Sequence, residues 1–135
     1  MKANKLLFLF FTFVATVASA GAKFNSEVFV EKLPPPNWGQ AKGSIAAARA
    51  SADLNQYIWC RVGVNTSSGT PFRYLTCEAR NAAGVTGYCS VTNPSQWMVD
   101  LVTSLRDTDI LWFWWTQNDS VCREINVDRT STVTH

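Results

Sequence analysis

Four cysteines constrain this chain more than any other feature. Cys60, Cys77, Cys89 and Cys122 are even in number and widely spaced, with no C-x-x-C among them. In an exported chain such a set reads as a disulfide framework. A zinc site would need close-spaced ligand pairs, and the single histidine, His135, is the last residue. A redox-active pair would need the C-x-x-C spacing. With no loop of alternating Asp for calcium and no glycine-rich phosphate loop, no metal or cofactor is expected.

Export is predicted from the first residues. Lys2 and Lys5 precede an apolar run over residues 6–17, which ends in the small-x-small triplet Ala18-Ser19-Ala20. That run is about a dozen residues, against the roughly 20 that a membrane span requires. Residues 1–20 therefore read as a signal peptide and 21–135 as a single disulfide-stabilised domain, secreted or periplasmic. Gly21, not Cys, follows the expected cut, so a lipoprotein route has no support. No later apolar run is long enough to span a membrane.

Cleavage changes the charge. Of twelve Lys and Arg, Lys2 and Lys5 leave with the signal peptide, and the remaining ten match ten Asp and Glu. A balanced, unclustered pattern lacks the basic footprint that nucleic acid or an anionic membrane needs. The expected partners are an extracellular or periplasmic protein, or a polysaccharide.

Four cysteines allow three connectivities, and spacing does not choose among them. Strand geometry favours one. Residues 57–64 and 72–80 alternate as strands about the turn-rich segment 65–71, which sets Cys60 near Cys77. Directly opposed strand residues have the short Cβ separation a bridge requires. A turn over 81–84 likewise sets Cys77 near Cys89, so three cysteines lie in one row across three strands. Cys60–Cys77 and Cys89–Cys122 are the favoured pairs.

The fold expected is α+β, an antiparallel sheet of five or six strands with one amphipathic helix on a face; a β-sandwich with one helix is the alternative. Residues 27–31 form a first strand, stopped by Pro34, Pro35 and Pro36. Residues 44–54, rich in alanine and capped by Ser44, favour helix, with a tightly packed strand as the alternative. Residues 85–91 continue the meander. Asn93 and Pro94 open a helix whose Trp97, Met98, Leu101, Val102 and Leu105 share a face, and Trp97 should pack beneath it. The run Ile110-Leu111-Trp112-Phe113-Trp114-Trp115 is apolar on both faces, as in a central strand covered on both sides. In the last strand, 121–127, Val121, Ile125 and Val127 should point inward and Cys122, Glu124 and Asn126 away. The tail from 128 is polar.

Catalysis has little to work with. Nucleophilic chemistry needs a histidine beside Ser or Cys, and His135 sits at a polar terminus. Glu78 and Glu124 are the best carboxylates for a small glycoside-type enzyme, but no spacing singles out a pair. The aromatic content is more informative. Six tryptophans are many for this length. Most serve as core, but exposed Trp and Tyr supply rigid contact area for sugar rings and for protein hot spots. Trp59, Arg61 and Tyr74, opposite the cysteine-bearing face, and Trp38, beyond the prolines, are the ligand-binding candidates, with Trp114 a further one. The expected function is a small non-catalytic binding domain for a protein partner, such as an inhibitor of a secreted enzyme. The alternatives are a carbohydrate-binding module on a Trp/Tyr platform and a carboxylate-dependent enzyme.

Overall fold

A computed structural model describes residues 27–34, 37–67 and 69–129. The segment read as a signal peptide and the tail from 130 lie outside the described residues. Among the described residues seven strands and two short helices run in the order β1 (Phe29–Lys32), β2 (Trp38–Ser44), α1 (Ile45–Ala50), β3 (Tyr57–Asn65), β4 (Phe72–Arg80), β5 (Thr86–Thr92), α2 (Gln96–Thr103), β6 (Ile110–Thr116) and β7 (Cys122–Asp128). They form two antiparallel sheets, β1-β2-β6-β7 and β3-β4-β5. The single sheet with one helix is thus corrected to a sandwich-like arrangement with two helices. Among the described residues no helix is long and apolar enough to cross a membrane.

The second sheet is the expected meander. Cys60 stands opposite Cys77, and Cys77 opposite Cys89. Disulfides join Cys60 to Cys77 and Cys89 to Cys122. The first staples neighbouring strands; the second ties the two sheets together. The sulfurs of Cys77, Cys89 and Cys122 lie within 4.8 Å of one another, so the two bridges pack as one unit. Beside them Ser90 N–H donates to the Ser120 carbonyl at 2.9 Å, and a short parallel bridge joins Ser90 to Val121. One corner of the sandwich is closed by a covalent bond and a hydrogen bond together.

β7 departs from the expected alternation. Trp114 pairs with Glu124, but Trp115 pairs with Cys122, which leaves Arg123 as the extra residue of a bulge. Cys122 and Ile125 are three residues apart and could not share a face in a regular strand. The bulge turns both inward, and Cys122 is thereby buried within reach of Cys89. Arg123 swings out to pair with Asp119 at 2.5 Å.

The core is filled from both inner faces: Leu111, Phe113, Trp115 and Ile125 from one sheet, Ile58, Leu75, Cys77 and Ala79 from the other. Trp115 is the largest of these and is 2 % exposed. Its indole fits because two facing positions are glycine. A Cβ on Gly87 would meet the Trp115 ring at 2.6 Å, and one on Gly39 would overlap the same ring.

Both helices pack near β3. Ser44 caps α1, accepting the Ala47 N–H at 3.2 Å, but the helix stops at Ala50, well short of 54. Asp53 breaks it by accepting from Asn55 N–H at 2.8 Å, Gln56 N–H at 3.0 Å and the Gln56 amide at 2.6 Å. These bonds, the Gln56 amide first, hold the Asp53 carboxyl down to about 2. Asn93 does not cap α2. It takes a left-handed conformation, donates to the Arg73 carbonyl at 2.8 Å, and leaves Ser95 at the helix start. The helix buries Met98 and Val102, while Trp97, expected beneath it, is 59 % exposed.

Gly87→Ala should destabilise the protein by about 1–3 kcal/mol through overpacking, and Trp115→Ala by about 3–5 kcal/mol through the cavity it leaves. Urea unfolding checks both. An unchanged midpoint for Gly87→Ala would mean that Trp115 is not confined by this contact.

Candidate functional site

Strand parity decides which tryptophans reach solvent. On β6, Leu111, Phe113 and Trp115 point into the core, so Ile110, Trp112 and Trp114 point out. The outer side was expected to be covered; among the described residues no helix covers it, because α1 and α2 lie by β3. Trp112 and Trp114 are half-buried among their neighbours, and Trp38 on the adjacent strand is 40 % exposed.

These three indoles and Gln40 line a cleft of about 240 Å³. The register sets its layout. Gln40 is opposite Trp114, Lys42 opposite Trp112, and Trp38 opposite Thr116, one row further along. Rows two residues apart are separated by about 6.7 Å, so the indoles are staged over roughly 13 Å along the strand direction. The row through Gln40 and Trp114 ends in a carboxylate on each side, Glu31 on β1 and Glu124 on β7.

Hydrogen bonds fix the polar groups. The Gln40 amide donates to Glu31 Oε2 at 2.8 Å. Trp114 Nε1–H donates to Glu124 Oε2 at 2.7 Å, and the Asn126 amide to Oε1 at 2.6 Å. The Asn126 amide first and the Trp114 indole second hold the Glu124 carboxyl below its ordinary 4.5. The result is a surface of aromatic faces edged by an amide and carboxylates whose remaining lone pairs can accept from hydroxyl groups.

The predicted ligand-binding set divides between two faces. Trp38 belongs to this cleft. Trp59, Arg61 and Tyr74 lie together on the outer face of β3-β4-β5. There the Arg61 guanidinium sits 5.2 Å from the Trp59 ring centre and 6.0 Å from that of Tyr74. Tyr74 folds over Gly63, where a Cβ would meet its ring at 2.5 Å. Glu78 is on that face as well, accepting from the Tyr57 hydroxyl at 2.5 Å, which raises the Tyr57 phenol above its ordinary 10.0. Glu78 and Glu124 therefore stand on outer faces of different sheets and do not form a catalytic pair.

Gln40, Glu31 and Trp112 were missed in the sequence. The stretch Gly39-Gln40-Ala41-Lys42-Gly43 carries no β-branched residue and gave no strand signal. Trp112 lies in the apolar run that reads as a strand covered on both sides. A further hollow of about 370 Å³ opens between the helices and β3. Its walls include Ile45, Val102 and Leu105, with the Arg49–Asp107 ion pair at 2.6 Å among them.

No known protein family, curated protein or solved structure matches this chain.

Glu124 makes the cleft pH-sensitive. Its folded-state value lies below 4.5, so its bonds stabilise the fold above 4.5 and are lost as pH falls through the lower folded value. The Trp114 indole N–H resonance should therefore titrate with a midpoint below 4.5, and Glu124→Gln should abolish that titration. A midpoint at or above the ordinary value would show that the bonds to Glu124 do not form in solution.

Proposed function

We propose that this protein is a small exported binding domain that holds a glycan chain along the cleft of Trp38, Trp112 and Trp114. One observation carries this reading: three indoles lining a cleft on an outer sheet face, staged along one strand direction, with Gln40, Glu31 and Glu124 at their edges. Sugar rings present apolar faces that stack on indoles and equatorial hydroxyls that bond to amides and carboxylates. The staging suits several consecutive rings rather than one. Disulfides that pair all four cysteines fit an oxidising compartment, where extracellular glycans are met.

A protein partner, the other expectation from the sequence, would use the same exposed tryptophans as hot-spot anchors. The amide and carboxylates flanking the indoles favour a hydroxyl-rich ligand over an apolar protein patch.

The test is depletion of the oxidised protein by insoluble neutral polysaccharides, followed by fluorescence titration with matching soluble oligosaccharides. Saturable binding should appear, and Trp112→Ala should weaken it about thirtyfold, the loss expected for a hot-spot residue. If no oligosaccharide perturbs tryptophan emission while a secreted protein forms a stoichiometric complex, the glycan assignment fails.

A further inference from the structure

The face opposite the cleft holds a chemically different arrangement. Arg61 is exposed midway along β3, an edge strand, on the outer face of β3-β4-β5. Its guanidinium is held between two aromatic rings, Trp59 and Tyr74, which restricts its motion without using its N–H donors. Among the described residues Arg49, Arg123 and Arg129 are each ion-paired to an aspartate. Among the described residues no carboxylate pairs with Arg61. The nearest acid on its face, Glu78, is one row away opposite Trp59 and already accepts from Tyr57.

A stacked, unpaired guanidinium is a preorganised fork for an oxyanion. The planar donors match a carboxylate two bonds at a time, and the ordering cost has been met in the free protein. The flanking rings add flat apolar area beside the charge. A ligand that satisfies both carries a carboxylate rigidly attached to a ring with an apolar face. A uronic acid residue has that form; an acidic peptide side chain offers the charge without the ring.

We propose that Arg61, with Trp59 and Tyr74, is a second binding site that takes the carboxylate of a uronic acid in an acidic polysaccharide. Trp59 and Tyr74 supply the stacking surfaces and Arg61 the bidentate donor. The site stands on its own geometry and does not depend on the glycan assignment of the cleft. Because the outer faces of the two sheets point away from each other, one ligand segment cannot occupy both sites. A protein filled at both would bridge two polysaccharide chains.

The experiment is NMR titration of the isotope-labelled oxidised protein with trigalacturonate, with triglutamate in parallel. Trigalacturonate should saturably shift the Arg61 Nε–H and Trp59 Nε1–H signals. Arg61→Gln should weaken binding by about tenfold or more, the loss of a hydrogen-bonded charge contact. Arg61→Lys, which keeps the charge but loses the fork, should fall between the two, and an unchanged amide spectrum in both variants establishes that they fold. Trp112→Ala should leave trigalacturonate affinity unchanged, which separates this site from the cleft. Absent shifts at Arg61, shifts confined to Trp112 and Trp114, or equal binding by Arg61→Gln would overturn the proposal. Triglutamate binding as tightly as trigalacturonate would overturn the assignment to a sugar.

Discussion

The sandwich is organised around one side chain. Trp115 packs against Gly39 on the neighbouring strand and Gly87 on the facing sheet, where a Cβ at either position would run into its ring. An indole in that position spans from its own sheet to Gly87 on the facing one. It also brings the strand end carrying Cys122 beside β5, where Cys89 waits. Core packing in proteins is dense enough that such a slot admits one shape and penalises others. The inter-sheet disulfide then holds what the indole has positioned.

The cleft on the opposite side of β6 is a consequence of the same constraint. A strand alternates its side chains, so burying Phe113 and Trp115 obliges Trp112 and Trp114 to face outward. In many sheets a helix would cover such residues. Here the helices are committed to β3, which buries Met98 and Val102 and leaves β6 open. The bulge at Arg123 contributes on both sides. It turns Cys122 in toward the disulfide and restores the register that sets Glu124 beside the Trp114 indole.

The two outer faces differ in chemistry as well as direction. One presents indoles edged by carboxylates that are themselves hydrogen-bonded, a surface suited to neutral hydroxyl-rich ligands. The other presents a cation stacked between aromatic rings, with the carboxylate of Glu78 on the same face engaged by Tyr57. A chain with a net charge of only +2 can still offer two local fields, because side-chain pairing decides which charges remain available.

What the sequence determined by itself was local. The meander over β3, β4 and β5 was legible because turn residues punctuate alternating runs, and the row of three cysteines followed from that spacing. So did the shared face of Trp59, Arg61 and Tyr74, since parity within a hairpin needs no distant information. Helix α1 was legible only to Ala50, where the Asp53 turn overrode alanine propensity. The tertiary structure decided the rest. β2 is a strand because it pairs with β6 some seventy residues away, not because its glycine-rich residues prefer to be one. Trp97 is exposed and Trp115 buried although both look like core residues in sequence. Trp115 is buried because Gly39 and Gly87, both remote from it in the chain, leave room for its ring, and contacts of that range are invisible until the sheets have paired.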